Sequence, residues 1–294
     1  MRKLAIVVGC TNRKSAPVPT ELAVRSLDAG NTEARADQWV ERVGAATERV
    51  PLSELYMGEA WQQAKTLLSD AGANGYDADM YVVSAGLGIR HVNSLGPAYS
   101  ATFSRGHADS VANDGVGAVQ WWRRMRTQSD AHAPESVCRE SVLVVTSDSY
   151  GQVIAEDIDR WSARCDDLLV VGGSDGQSSQ VPRLPADRAL RKQLGGTVSS
   201  LTIRMARRWL EMSHGKRLTE DGVRTTWQEW ARISRHVEVY DRIVMSDDDV
   251  RDFLGEVLGE EPTISATRAL RKLRDSGRAC EHRRFHRIHN EMAG

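Results

Sequence analysis

Leu4-Ala5-Ile6-Val7-Val8-Gly9-Cys10-Thr11-Asn12-Arg13-Lys14, close to the start of the chain, is an apolar run that ends at a glycine and continues into polar side chains. A short run of aliphatic and β-branched residues is typical of a strand that is buried on both faces of a sheet. The polar residues after it would lie at the carboxyl end of that strand, where open parallel sheets bind their ligands. The stretch therefore predicts the first strand of an α/β fold and a ligand-binding loop after it.

Three residues of this loop carry side chains that can take part in chemistry. Cys10 is a candidate nucleophile or a small side chain that packs closely, and Asn12 can hold a water molecule or the edge of a base. Lys14 can bind a phosphate or attack a sugar carbon. The alternative is an ordinary surface loop with a buried cysteine.

Three further apolar runs end in the same way. They cover residues 80–83, 142–145 and 168–171, and small or polar residues follow each of them. Four such runs, separated by segments long enough for helices, predict an α/β fold with a mostly parallel sheet and helices on both faces. The segments expected to converge on one crevice are Ser84-Ala85-Gly86-Leu87-Gly88, Thr146-Ser147-Asp148-Ser149-Tyr150 and Gly172-Gly173-Ser174-Asp175.

The composition is that of a folded protein with a sizeable core. Of its 294 residues, 40% are hydrophobic and 27% are charged. No run of 18 apolar residues is present, and a strand rather than a signal-peptide core follows Met1, so we expect a cytoplasmic protein with no membrane partner. The four cysteines are far apart, which predicts free thiols.

Neither a cofactor nor a metal is expected. His282 and His286 have the i, i+4 spacing of zinc ligands on a helix, and Cys280 and His289 lie near them in the sequence. No carboxylate or thiol completes a recognisable zinc motif with this pair. We therefore predict a site without metal.

The character of the sequence changes in its last third. We predict an α/β catalytic domain over residues 1–212 and a helical, basic DNA-binding region over residues 213–294. Residues 263–294 hold eight basic and three acidic residues, a net charge of +5, and their apolar spacing predicts a helix-turn-helix or winged unit. A solvated helix is the commoner explanation of a single charge run. The candidate DNA-binding residues are Arg204, Arg268, Arg271, Arg274, Arg283 and Arg284.

An ordered set of motifs resembles a known protein family. The motifs are Cys10-Thr11-Asn12-Arg13-Lys14, Glu54-Leu55-Tyr56-Met57-Gly58, Ser84-Ala85-Gly86-Leu87-Gly88 and Pro97-Ala98-Tyr99. Over roughly residues 1–210, the chain resembles bacterial and phage proteins related to the peroxide stress protein YaaA and to the C-S-x-x-K domain of archaeosine synthase. The resemblance implies a fold similar to uracil-DNA glycosylases and an activity on nucleic acids or their modified bases.

The resemblance also implies roles for individual residues. Cys10 and Lys14 match the C-S-x-x-K motif, with Thr11 in place of its serine, so the role of the motif's lysine would belong to Lys14. The proline and tyrosine that follow this lysine in archaeosine synthase are absent here. Asn12 matches the asparagine that mismatch-type members of the glycosylase superfamily place in the loop after the first strand.

Excision of a base requires a pocket with several kinds of side chain. Cleavage of an N-glycosidic bond passes through an oxocarbenium-like sugar, and a base in a duplex must first be flipped out and stacked on an aromatic surface. Asn12 or Asp148 would position water, and Lys14 would contact a phosphate or act as an amine nucleophile. The expected substrate-binding residues are Cys10, Tyr56, Ser84, Gly86, Tyr99, Phe103 and Tyr150, of which Tyr56, Tyr99 and Phe103 are the stacking candidates.

Three functional hypotheses follow. The first is a DNA glycosylase that excises a modified base from double-stranded DNA and leaves an abasic site, which would serve defence against phages with modified genomes. The second is a non-enzymatic DNA-binding stress protein of the YaaA kind, which the basic tail favours. The third is an enzyme that modifies a nucleotide or a transfer RNA base, which the C-x-x-x-K match favours.

Overall fold

The computed structural model describes residues 1–127, 134–173, 181–237 and 242–293. The chain forms two compact units, Met1–His236 and Val237–Gly294, and each has a hydrophobic core of its own. In the described ranges, no helix combines the length and the apolar character that crossing a membrane requires.

The first unit is built on a six-stranded sheet. The unit contains eight strands among the described residues, of which six form this sheet. The eight strands are β1 (Arg2–Gly9), β2 (Val50–Pro51), β3 (Tyr76–Ser84), β4 (Gly88–His91), β5 (Leu95–Gly96), β6 (Ser141–Thr146), β7 (Leu168–Gly172) and β8 (Arg183–Leu184). The main sheet has the order β4-β3-β1-β6-β7-β8, and β2 pairs separately with β5. All neighbours in the main sheet are parallel except β4, which is antiparallel to β3. The prediction of an α/β fold with a mostly parallel sheet is confirmed.

Strand β1 lies inside this sheet, between β3 and β6. Its residues Leu4 to Val8 are at most 1% exposed. Because consecutive side chains of a strand point to opposite faces, burial of all five means that both faces of the sheet are covered here. The four predicted apolar runs all lie in strands, namely β1, β3, β6 and β7.

Helices surround the sheet of the first unit. They are α1 (Thr32–Ala45), α2 (Leu52–Leu55), α3 (Glu59–Ala73), α4 (Gly115–Met125), α5 (Asp148–Val153), α6 (Ala155–Ser162), α7 (Arg191–Leu194), α8 (Leu201–Ser213) and α9 (Asp221–Ser234). Helix α3 packs against β3 and α8, and α1 packs against α4. Short 3-10 helices cover Thr20–Leu22, Val24–Ser26, Pro134–Val137, Arg188–Leu190 and Val198–Ser200.

The boundary of the first unit lies later in the chain than the predicted boundary at residue 212, between His236 and Val237. The reason is a tryptophan cluster that joins α8 to α9: the ring centroids of Trp209 and Trp227 are 5.5 Å apart. Trp227 is also part of the hydrophobic core of the sheet. Helix α9 is polar enough to look like the start of a new region, but its buried face belongs to the first unit.

The second unit is mainly helical. It contains β9 (Ile243–Val244), α10 (Asp247–Glu260), α11 (Ala266–Asp275), β10 (Arg278–Ala279) and α12 (His282–Ala293), and the two short strands pair in parallel. Its core is built around fully buried side chains such as Leu254, Leu273 and Phe285. The side chain of Ser265 accepts the backbone N–H of Arg268 and so caps α11, because the first N–H groups of a helix have no partner within the helix.

Candidate active site

A cavity of about 450 Å³ lies at the carboxyl edge of the sheet. The loop after β1 supplies Gly9 to Arg13, and the residues after β6 supply Ser147 and Tyr150. The beginning of α3, the stretch from Ala101 to Ser104 and the segment around Ser199 also contribute to its walls. The structure thus brings together three of the predicted site residues, Cys10, Asn12 and Tyr150, in a space of the size that small-molecule sites have.

Cys10 and Tyr150 form one polar contact on the wall of this cavity. The Cys10 Sγ lies 3.3 Å from the Tyr150 Oη. The rings of Phe103 and Tyr150 pack edge to face, with ring centroids 4.9 Å apart. Burial raises the pKa of Tyr150, and the neighbouring Cys10 adds to this effect, so the phenol keeps its proton at neutral pH and can donate a hydrogen bond. Phe103 itself is buried and packs against Tyr150 without lining the cavity.

Lys14 holds the loop after β1 in its shape. Its Nζ donates to the backbone oxygen of Thr11 at 2.7 Å and to that of Asn12 at 3.2 Å. The same ammonium lies 4.4 Å from the ring centroid of Tyr99 and 5.0 Å from that of Tyr56. Burial lowers the pKa of Lys14, although Cys10 opposes this shift. The predicted nucleophile or phosphate ligand is therefore engaged with its own loop and with two aromatic faces.

Four of the predicted substrate-binding residues lie in the core next to this lysine. The Tyr56 and Tyr99 hydroxyl groups are 2.9 Å apart, and the Tyr99 hydroxyl is 2.5 Å from the Ser84 Oγ. The Cβ of any larger residue at Gly86 would come within 2.6 Å of the Tyr99 ring. Tyr56, Ser84 and Tyr99 are at most 2% exposed. The structure therefore places these residues in a buried layer that supports the loop, and their rings are not on the cavity wall.

His107 contacts the predicted catalytic Asn12. The Asn12 side-chain amide lies 3.3 Å from the His107 Nε2, and the His107 Nδ1 accepts the backbone N–H of Asp109 at 3.1 Å. Asp109 is fully buried; although burial alone opposes ionisation, hydrogen bonds from Arg25 and Ser100 lower its pKa. His107 is not among the site residues that the sequence predicts. The only signal was its place in a polar stretch shortly after Phe103.

Arg204, one of the predicted DNA-binding residues, is engaged within the first unit. Its Nη2 lies 2.9 Å from the Glu59 Oε1, and its Nη1 donates to the Leu194 backbone oxygen at 3.1 Å. Burial opposes ionisation of Glu59, but hydrogen bonds from Thr197, Arg204 and Ser200 lower its pKa to about 2. Because Glu59 is the first residue of α3, this ion pair braces α3 against α8 beside the cavity.

Asp148 lies in an adjoining cavity of about 530 Å³. The two cavities share Thr146, Ser147, Ser199 and Thr202 in their walls. Asp148 is exposed and, within the described residues, its carboxylate has no hydrogen-bond partner or ion pair. Of the residues predicted to follow β7 at this edge, Gly173 lines this cavity, whereas Ser174 and Asp175 lie outside the described residues.

The predicted DNA-binding arginines of the second unit fall into two groups. Arg268 pairs with Glu261 at 3.3 Å, and Arg284 pairs with Asp247 and donates to the Met245 backbone oxygen. The guanidinium groups of the other three have no hydrogen bond or ion pair among the described residues; these are Arg271, Arg274 and Arg283. Only this second group is free to contact a ligand without breaking an interaction of the unit.

No group of three or more His, Cys, Asp or Glu side chains in the described parts of the chain is arranged to hold a metal ion. Comparisons of the chain with family models, with curated proteins and with solved structures find no match. The geometry of the cavity and the charges of the second unit are therefore the basis of the functional assignment.

Proposed function

We propose that the protein is a DNA glycosylase that excises a modified base from double-stranded DNA and leaves an abasic site. The observation that carries the proposal is the cavity at the carboxyl edge, where Cys10, Asn12 and Tyr150 present a thiol, an amide and a phenol to one space. A flipped base needs polar groups for its edge and a concave site of sufficient volume, which such a cavity offers. The proposal includes a uracil-DNA glycosylase-like arrangement of the first unit and a role in defence against phages with modified DNA.

In this proposal, Arg13 makes the phosphate contact that the sequence predicts for Lys14. Arg13 lines the cavity and is exposed, and its guanidinium has no partner among the residues that the structure describes. The Lys14 Nζ already donates hydrogen bonds to the backbone oxygens of Thr11 and Asn12. A phosphate beside a flipped nucleotide would therefore meet Arg13, whose planar guanidinium suits phosphate oxygens.

Asp148 is the acceptor that would position the attacking water. Its carboxylate has no partner among the described residues, and a carboxylate next to the cavity would also stabilise the positive charge that develops on the sugar. Asn12 contacts the base in this scheme. The substitution Asp148→Asn would then slow base release by about two orders of magnitude while leaving duplex binding unchanged.

The second unit would bind the duplex. The predicted arginines whose guanidinium groups have no hydrogen bond or ion pair among the described residues are Arg271 and Arg274 on α11 and Arg283 on α12. Arg271 and Arg274 are three residues apart on one helix and so lie on the same face. We propose that α11 and α12, within residues 263–294, form a helix-turn-helix or winged unit and that these arginines contact the DNA backbone.

A panel of duplexes that carry natural phage base modifications tests the enzyme. Wild-type protein should release one class of base, scored as abasic sites by alkaline cleavage, and Asn12→Ala should abolish the release. Tight duplex binding with no base released from any member of the panel would instead favour a DNA-binding protein of the YaaA kind, which is the function that the three free arginines favour by themselves.

A further inference from the structure

The His107 ring is hydrogen-bonded at both nitrogen atoms. Its Nδ1 accepts the backbone N–H of Asp109 at 3.1 Å, and its Nε2 lies 3.3 Å from the side-chain amide of Asn12. The sequence predicts that Asn12 holds a water molecule or the edge of a base, but it leaves open which of the two amide atoms is available for that contact. The two contacts of His107 decide this question.

The first contact fixes the tautomer of the ring. A backbone N–H can only donate, so the His107 Nδ1 must carry a lone pair, and the proton of the neutral ring must be on Nε2. The position of Asp109 is itself fixed: its buried carboxylate accepts Ser100 Oγ at 2.7 Å and the Arg25 backbone N–H at 3.1 Å.

The tautomer then fixes the orientation of the Asn12 amide. The amide atom closest to the His107 Nε2 is assigned as Nδ2, but an Nε2–H and an NH₂ group are both donors and cannot bond to each other. A rotation of the amide by about 180° places the oxygen at the same position with little other change, and the two atoms are routinely assigned from such networks. Asn12 Oδ1 therefore accepts from His107, and the NH₂ group is left for a ligand.

We infer that Asn12 offers only hydrogen-bond donors to the cavity and that the cavity selects a base with a ring carbonyl oxygen against adenine, which has none. This inference rests on the proposed function, since it requires that the cavity takes a nucleobase. No side-chain contact of Asn12 other than that with His107 is present in the described ranges, so its second amide atom is available to the base. An asparagine reads adenine with both its oxygen and its nitrogen, and that pairing is blocked here because the oxygen is occupied.

The first test observes the tautomer directly. Long-range ¹H–¹⁵N spectra of the full-length protein, without any ligand and at a pH where the ring is neutral, should show His107 as the Nε2–H tautomer, with His107→Gln used to assign the signal. An Nδ1–H tautomer would overturn the inference, because Asn12 would then donate to the ring and present its oxygen to the ligand.

The second test measures selectivity with free hypoxanthine and adenine, two purines that differ at position 6 by a carbonyl oxygen and an amino group. Calorimetric titration of wild-type protein should show hypoxanthine binding about tenfold or more tightly than adenine. Asn12→Asp should reverse the preference, since one carboxylate oxygen accepts from His107 and the other presents an acceptor to the amino group. Asn93→Asp, which makes the same charge change at an exposed residue outside the cavity wall, should leave the wild-type preference unchanged.

The outcomes separate this inference from the function on which it rests. Equal or tighter binding of adenine by the wild type would refute the donor assignment and leave the nucleobase cavity intact. Binding of neither purine, together with no base released from the modified duplexes, would count against the nucleobase cavity and against the inference with it.

Discussion

Lys14 and Asn12 show at the scale of single residues how neighbouring polar side chains in one loop acquire different tasks. The Lys14 ammonium donates to two backbone oxygens of its own loop, and burial beside two tyrosine rings lowers its pKa. Asn12 is exposed and lines the cavity, where only His107 contacts its amide among the described residues. The sequence marks both residues as polar and reactive, but burial decides that Lys14 holds the loop while Asn12 meets the ligand.

Gly86 provides a test of the buried layer under this loop. A Cβ at this position would lie 2.6 Å from the Tyr99 ring and 3.1 Å from the Trp39 ring, which are both fully buried. We expect Gly86→Ala to lower the free energy of unfolding by about 1–3 kcal/mol, since a packed aromatic ring cannot move aside without cost. Urea unfolding of the purified variant measures the effect.

The matched control is Gly72→Ala, in the last turn of α3, where nothing lies within 4 Å of the added methyl group. This variant should be neutral or more stable by up to about 1 kcal/mol, because alanine is the better helix former. Equal stability of Gly86→Ala and the wild type would mean that the Tyr99 layer is looser than the structure indicates.

At the scale of elements, the sequence predicts the strands better than the site that they position. The runs at 80–83 and 142–145 are recognisable because a strand buried on both faces must be apolar throughout. The sequence pattern does not predict strand β4, because this strand begins at Gly88 and includes the charged Arg90. The burial of Arg90 depends on its tertiary surroundings. Tyr56 and Tyr99 were predicted to stack a base, but a sequence pattern does not tell a cavity wall from the layer behind it.

The ion pair between α3 and α8 makes a prediction about acid stability. Hydrogen bonds from Thr197, Arg204 and Ser200 outweigh burial and lower the pKa of Glu59 from 4.5 to about 2. A carboxylate with a lowered folded-state pKa contributes stability that is present above its unfolded-state value and is lost as pH falls toward its folded-state value. The wild type should therefore lose stability between pH 4.5 and about 2, relative to Glu59→Gln.

Thermal unfolding at several pH values measures this difference. The control is Glu54→Gln, whose carboxylate on α2 has no hydrogen-bond partner or ion pair among the described residues. It should follow the wild type across the whole range. The same loss of stability with acid in Glu59→Gln as in the wild type would show that the contact between α3 and α8 does not depend on the Glu59 charge.

At the scale of the whole molecule, the two units are distinguished by which arginines are paired and not by net charge, since residues 237–294 hold ten basic and twelve acidic residues. The formal net charge of the protein is −1, so the total gives no indication of a polyanionic partner. Most arginines of the first unit that are discussed above pair within it, as Arg25 does with Asp109 and Arg204 with Glu59. In the second unit, Arg271, Arg274 and Arg283 remain unpaired among the residues that the structure describes. Arginines that form no ion pair within the protein are available to form ion pairs with a ligand.

A triple variant of the full-length protein tests this use of the second unit. Each arginine that contacts a phosphate displaces a counterion from the DNA, so its loss lowers the slope of log affinity against log salt by about one. Replacing Arg271, Arg274 and Arg283 by Ala should reduce the slope by about three and weaken binding to all duplex sequences to a similar degree. Fluorescence anisotropy with a labelled duplex over a range of salt concentrations measures the slope.

A second triple variant, with Arg251, Arg268 and Lys272 replaced by Ala, removes the same number of positive charges from the same unit. These three residues pair with Asp248 or Glu261 at the surface, where ion pairs contribute little to stability, so the unit should remain folded. Because their charges are already balanced by acidic neighbours, we expect a smaller change in slope than in the first variant. Equal slopes for both variants would mean that only the net charge of the second unit matters and that α11 and α12 do not dock on DNA in a defined way.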